Sequence, residues 1–283
     1  DLYYRHPALF GTQAVVDRYV DDIACTFGVP RAALHVTAAA KGLVAGAFNL
    51  CNTDGTLIES GLNHEGMLIR NFKNGETVDM ISVEWILVIE KEATFRTLAS
   101  SDFWDTIRRR AIVLTAKGYP DIASRSFLRL ISSPSFRNRY CSPPVYALVD
   151  FDPDGISIYS TYKYGSLALA HENHNLNTPA MQWIGVKSSD LFSIAAEADL
   201  HEAEGLLRLS LRDRSKAQKL IERHIDSESD TDSEFICELQ TMLMLNVKAE
   251  IQILEAKVGG LGQWLGRQSF VKGVMPSSPL QDD

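Results

Sequence analysis

The stretch VYALVDFDPDGISIY, residues 145–159, decides the reading of this chain. It runs apolar to Val149 and then meets three carboxylates, Asp150, Asp152 and Asp154, within five residues. A short apolar run that ends at Pro153 and Gly155 reads as a buried strand turning sharply into a helix. Carboxylates at such a strand end are costly. Like charges a few ångströms apart repel, and an ionised carboxylate leaves water only at a large penalty unless positive charge meets it. The sequence must supply that charge elsewhere, from a Lys or Arg, a divalent cation, or simple exposure to water.

Working outward, the same grammar repeats. WILVIE, AIVLTA and QWIGV are further apolar runs, each followed by a helical or loop segment. That alternation predicts a parallel sheet with crossover helices from Glu84 onward. The helical candidates are KEATFRTLAS, DIASRSFLRLIS, GISIYSTYKYGSLALA, RDRSKAQKLIERHI and a long amphipathic stretch from Glu234 to Lys257. Upstream, TQAVVDRYVDDIACTFGV carries Val16, Val20, Ile23 and Phe27 at helical spacing, with Thr12 as N-cap and Gly28 as stop. LHVTA and LVAGAF flank AAKG as a small hairpin, so a helix followed by a wing suggests a winged helix-turn-helix module. The run DSESDTDSE and the residues from Pro276 on read as a solvated loop and a tail.

In open α/β sheets, ligands bind at the carboxyl ends of the strands. There stand Glu90, Lys117 with Gly118, and Asp150 with Asp152. Alternate strand residues point the same way about 7 Å apart. Asp150 and Asp152 therefore converge while Phe151 turns into the packing, and Glu90 joins them if its strand is the neighbour. Three hard oxygen donors suit Mg²⁺, with Mn²⁺ an alternative. The plainer reading of DxDxxG is a set of solvated turn and cap residues.

Length and composition bound the class. The chain has 283 residues, 45% hydrophobic and 23% charged, with a net charge of −8. This is a globular composition, suited to one large or two modest domains. No apolar run approaches the length needed to cross a bilayer. Cys25, Cys51, Cys141 and Cys237 form no CxxC pair, so neither zinc nor disulfides are expected. His171 and His174 in HENH lack further ligands at zinc spacing. No GxxxxGK[ST] loop is present, so nucleotide-driven gating would need another chain. The acidic balance weighs against nonspecific nucleic-acid binding, although five of the acids sit in the single run DSESDTDSE.

Glu90-Lys91 after an apolar strand, GYPD at 118–121 and DFDPDG at 150–155 together resemble the Toprim domain of the topoisomerase VI A-subunit (type IIB topoisomerase) family. KYGS at 163–166 extends the likeness toward the meiotic double-strand-break members, and the resemblance runs from Leu2 to about Trp264. It implies an α/β chain in two parts. Residues 1–78 would form a winged-helix (CAP-like) DNA-binding domain truncated at its N-terminus, and 79–283 a mostly parallel Toprim domain with a C-terminal helical elaboration. The family's catalytic tyrosine lies in a D-x-Y/F-Y motif followed by Leu-Phe. This chain begins DLYYRHPALF, so Tyr4 matches the nucleophile and Tyr3 its neighbour.

The resemblance further implies Mg²⁺ on Glu90, Asp150 and Asp152, and DNA contacts from three residues. Lys41 at the wing tip matches a Lys-Gly placed near DNA. Tyr119 matches a residue facing the minor groove, and Arg125 would touch phosphate or pair with Asp121. The implied activity is a meiotic DNA double-strand break through a 5′-phosphotyrosyl intermediate, initiating homologous recombination. Composite sites would form across a homodimer acting on double-stranded DNA in the nucleus, with accessory meiotic proteins and a topoisomerase VI B-like subunit. Two alternatives stay open: a Toprim nuclease using metal-activated water, and a non-catalytic DNA-binding scaffold subunit.

Overall fold

The structure, a computed structural model, describes residues 2–29, 31–36, 40–62, 65–72, 75–166, 173–197, 205–224, 230–256 and 259–272. Three helices open the chain: α1 (Leu2–Arg5), α2 (Pro7–Phe10) and α3 (Gln13–Phe27). On α3 the expected apolar face holds in part: Val16 and Val20 are buried together with Ala24, but Ile23 and Phe27 are exposed. Thr12 stands at the N-cap without a side-chain cap bond, and Gly28 stops the helix in the left-handed region at φ 62°. Five short strands follow: β1 (Leu43–Gly46), β2 (Asn49–Cys51), β3 (Leu57–Ser60), β4 (Met67–Leu68) and β5 (Thr77–Asp79).

The α/β alternation read from Glu84 onward follows, except that the helix expected over 155–170 ends at Lys163, with 167–170 outside the described residues. It comprises β6 (Trp85–Ile89), α4 (Glu92–Ala99), α5 (Asp102–Ile107), β7 (Ala111–Thr115), α6 (Ile122–Ser132), β8 (Val145–Leu148), α7 (Pro153–Lys163), α8 (Asn173–Leu176), β9 (Gln182–Gly185) and α9 (Ser188–Glu197). The chain continues through β10 (Leu206–Arg208), α10 (Leu211–His224), α11 (Asp230–Leu245), β11 (Val247–Ala249), α12 (Gly260–Gly266) and α13 (Ser269–Lys272).

One six-stranded sheet, ordered β4-β1-β7-β6-β8-β9, organises the molecule. β7, β6, β8 and β9 are mutually parallel, which lines up their carboxyl ends on one rim. Every residue of β6 and β7 is buried, as expected for central strands covered on both faces. β6 and β8 are neighbours, with Ile89 opposite Leu148, so Glu90 does stand beside the Asp150 strand end.

Three expectations change. First, the described residues of LHVTA, 34–36, form no strand. Leu34 ends a 3₁₀ turn, residues 37–39 lie outside the described residues, and β1 pairs antiparallel with β7. Hydrogen bonding therefore carries the sheet across the expected boundary at residue 78, since β1 and β4 complete the sheet begun by the parallel strands. Second, Glu234–Lys257 is not one helix. α11 ends at Leu245, Asn246 takes φ 57°, and the chain returns as β11 against β10. Third, the acidic run is not all loop: residues 225–229 lie outside the described residues, and Asp230 begins α11. The tail from Pro276 also lies outside them. Among the described residues no helix is long and apolar enough to cross a membrane.

Gly46 marks where the N-terminal part joins the sheet. It has φ 137°, and a Cβ there would lie 2.1 Å from the Ala111 carbonyl oxygen. Backbone strain and a backbone clash coincide. Gly46→Ala is expected to cost on the order of 2–3 kcal/mol and lower the thermal midpoint by roughly 5–10 °C. An unchanged melting curve by circular dichroism would show that β1 does not pack on β7 this closely.

Candidate active site

The rim is built strand by strand. The Glu90 N–H donates to Leu148 O (3.1 Å), and its carbonyl accepts from Gly118 N–H (2.9 Å) and Thr115 Oγ1 (3.1 Å). The residue is thus fixed between β7 and β8. Its carboxylate accepts the Asp150 N–H at Oε2 (2.9 Å). Phe151 is fully buried and bonds in both directions with Ala249, so β11 clamps the β8 end. That clamp brings the Ile251 N–H to Asp150 Oδ1 (2.8 Å). Asp152 caps α7 by accepting the Gly155 N–H (2.6 Å). Gly155 is required there, because a Cβ would lie 2.3 Å from the Asp150 carbonyl oxygen.

The positive charge the sequence demanded comes from Lys91. Its Nζ lies 3.1 Å from Asp150 Oδ2 and 3.1 Å from Glu250 Oε2, and it donates to Gln252 Oε1 (3.3 Å). One ammonium does not neutralise the rim. Burial first, then the Asp150 and Asp152 charges, pushes the Glu90 carboxyl up to about 8. Burial also outweighs Lys91 and the Ile251 N–H and lifts Asp150 to about 6. Asp152 is raised in the same sense, by burial and then by Asp154. Burial opposes the Lys91 charge, but Asp150 and Glu250 outweigh it and hold its pKa above the ordinary value.

Three oxygen donors starved of positive charge fit a divalent cation in chemistry. Their side chains are nonetheless turned to protein partners, and among the described residues no three acidic, His or Cys groups stand as a ready metal cluster. Asp150 is engaged by Lys91 and Ile251, and Asp152 by its helix.

The other candidates divide. Lys41 is exposed and precedes β1; its N–H donates to Asp121 Oδ2 (3.1 Å) and its Nζ to Lys117 O (3.5 Å). It therefore reaches the rim from two residues before β1. Tyr119, 46% exposed, donates to Asp154 Oδ1 (3.0 Å) and accepts from Lys216 Nζ (2.6 Å), with that ammonium over its ring. Arg125 must be corrected. It is 1% exposed on α6 and donates to the side-chain oxygens of Asn173 (3.2 Å) and Asn177 (2.9 Å), so it is an internal brace with no face for DNA. Its neighbours in the apolar spacing of α6 already pointed inward.

Tyr4 is 73% exposed and sits edge-on to Tyr3, whose hydroxyl donates to Gly11 O (3.3 Å). Among the described residues no hydrogen bond joins Tyr4 to the acids of the rim. Local sequence gave no signal for Glu250, Lys216 or Lys248, which arrive from distant elements. Lys216 pairs with Asp154, and Lys248 lies 2.9 Å from Asp213.

Residues 85–259 match the Toprim-domain model of the topoisomerase 6 A-subunit/Spo11 family, and residues 1–36 match type IIB DNA topoisomerase. The chain belongs to the topoisomerase 6 A-subunit/Spo11 family. It is 37% identical over 266 residues to meiotic recombination protein SPO11-1 of Oryza sativa subsp. indica, covering 90% of this chain and 63% of that protein. It is 33% identical over 254 residues to meiotic recombination protein SPO11 of Mus musculus, covering 90% and 60%. A further relative is meiotic recombination protein rec12 of Schizosaccharomyces pombe, 34% identical over 254 residues, covering 90% and 66%. The chain thus spans under two thirds of the length of these relatives. The rim lies inside the Toprim match of this Spo11-family chain, and Tyr4 inside the type IIB match.

The crowded acids make stability depend on pH. The folded chain keeps protons on Glu90 and Asp150 that the unfolded chain releases at lower pH, so these groups destabilise the fold progressively as pH rises from about 4.5 to about 8. Glu90→Gln removes one such charge and keeps an oxygen for the Asp150 N–H. In EDTA-containing buffer its thermal midpoint is expected to exceed that of the natural chain at pH 8.5, with the margin shrinking toward zero near pH 4.5. A margin that does not change with pH would contradict the mutual repulsion.

Proposed function

We propose that this chain is the catalytic part of a topoisomerase-like transesterase that makes meiotic DNA double-strand breaks and so initiates homologous recombination. One observation carries the reading: an accessible tyrosine and a charge-starved acid rim occupy segments that match two parts of one enzyme family. Relatives named as meiotic recombination proteins, in rice, mouse and fission yeast, favour that member of the family.

In this reading the Tyr4 oxygen forms a bond to phosphorus as the bond to the 3′ oxygen breaks. The phenolic proton passes to solvent, the departing oxygen takes up a proton as a 3′-hydroxyl, and the 5′ end stays linked to Tyr4. One phosphate ester replaces another, so the step is reversible and needs no external energy source. Glu90, Asp150 and Asp152 would hold Mg²⁺, or Mn²⁺, which supplies charge neutralisation and alignment at the phosphate. Lys91 would release Asp150 for that role and remain on Glu250. Lys41 and Tyr119 would meet duplex DNA at the same rim.

Among the described residues no hydrogen bond joins Tyr4 to the acids of its own chain, which favours a homodimer in which the tyrosine of one copy serves the rim of the other. Double-stranded DNA, accessory meiotic proteins, a topoisomerase VI B-like subunit and a nuclear location belong to this proposal. So does a winged-helix role for the α1–α3 region. A scaffold reading has one point in its favour, since protein groups already engage Asp150 and Asp152.

With a nicked or intact duplex and Mg²⁺, Tyr4→Phe is expected to abolish 5′-linked protein–DNA adducts while DNA affinity stays within about threefold; denaturing gels and mass measurement read both. Asp152→Asn is expected to give the same loss of adduct. Cut ends without adduct would favour water as the nucleophile, and neither cuts nor adducts in the natural dimer with its B-like partner would favour the scaffold.

A further inference from the structure

Helix α10 carries a feature that neither its packing nor the acid rim accounts for. At about 100° per residue, Arg212, Lys216, Lys219 and Arg223 fall within roughly 60° of one another, spread over about 16 Å of helix axis. The helix packs against α7 and α11 and buries Asp213, Ala217 and Leu220, so the basic column borders the buried face. Like charges at i,i+4 oppose helix formation. The cost is partly offset by Asp154, which pairs with Lys216 and also feels the Arg212 charge. Lys219 and Arg223 are exposed and pair with no carboxylate among the described residues, while the nearby Glu222 accepts from Gln218 (2.9 Å). Arg214, on the other side of the helix, is satisfied by Asn246 Oδ1 (2.7 Å). A basic column on a chain of net charge −8, with Lys219 and Arg223 unpaired among the described residues, suits an anionic partner.

Placement identifies the partner. The column passes the rim, where Lys216 touches Tyr119 and Asp154. At its far end Arg223 lines a cavity of about 400 Å³ with Tyr119, Ser157, Ser160, Tyr164 and Asn173. The Ser160 Oγ is buried without a hydrogen-bond partner among the described residues. Arginine, lysine and hydroxyl groups are the side chains that hold phosphate oxygens and fix the register of a duplex. We infer that Lys219 and Arg223 on α10 form a second contact with the DNA backbone, which holds the duplex arm leaving the rim. This rests on the DNA-cleaving reading but concerns residues outside its chemistry.

The test is duplex binding by fluorescence anisotropy across a salt series, using 30-base-pair DNAs of different sequence with the natural chain, Lys219→Ala/Arg223→Ala, and an equal-charge control, Arg109→Ala/Arg214→Ala. Losing two phosphate contacts is expected to flatten the plot of log affinity against log salt by about 1.8, equally for every sequence. The control is expected to keep the natural slope, and circular dichroism melts verify folding of all three. A natural slope in the double variant, or an equal loss in the control, would overturn the inference. Adduct formation on the same duplexes separates the two readings. Tyr4-dependent adducts with an unchanged slope overturn the α10 contact alone, and a flattened slope without adducts in the dimer supplied with its B-like partner supports that contact while overturning cleavage.

Discussion

A single ammonium between two carboxylates holds the rim of this protein together. Lys91 Nζ stands 3.1 Å from both Asp150 and Glu250, so it ties the end of β8 to the segment that follows β11. Without it Asp150 would be a buried charge beside Glu90 and Asp152, and an unpartnered buried carboxylate costs several kcal/mol or simply takes up a proton. The rim stays under-neutralised even so: Glu90 and Asp150 keep raised pKa values despite Lys91. Charge shortage of this kind is a functional signature more often than a structural one.

The second constraint is the sheet. Because β1 adds to the far side of β7, the N-terminal region and the parallel core share hydrogen bonds. Lys41, two residues before β1, is tied to Asp121 at the head of α6. β1 and Lys41 are thus joined by hydrogen bonds to β7 and to the GYPD turn.

Much of this was legible in the chain. The runs at Trp85, Ala111, Val145 and Gln182 became the parallel strands because continuous apolarity has few other solutions in an α/β alternation. Glu90 and Asp150 met because β6 and β8 are neighbours, which the sequence allowed but did not require. The errors have physical causes. LVAG has the pattern of any short strand, and pattern alone does not name its partner. Arg125 carries a charge, which suggested a surface, yet it lies on the buried face of α6 and finds its acceptors in Asn173 and Asn177. The late amphipathic stretch kept its apolarity through Asn246, where a left-handed residue reverses the chain. Lys216 and Glu250 came into play through tertiary folding over long sequence separations, to which no local motif points.

The bond from the Ile251 N–H to Asp150 spans 101 residues of chain. During synthesis the acids would emerge from the ribosome long before the segment that restrains them, and the β8 end would wait, unclamped, for Val247–Ala249 to arrive. A nascent chain or a product of premature termination would then carry the tyrosine and the acids without the assembled rim. Under the proposed cleavage activity, such an arrangement would set a delay between making the reactive groups and bringing them together.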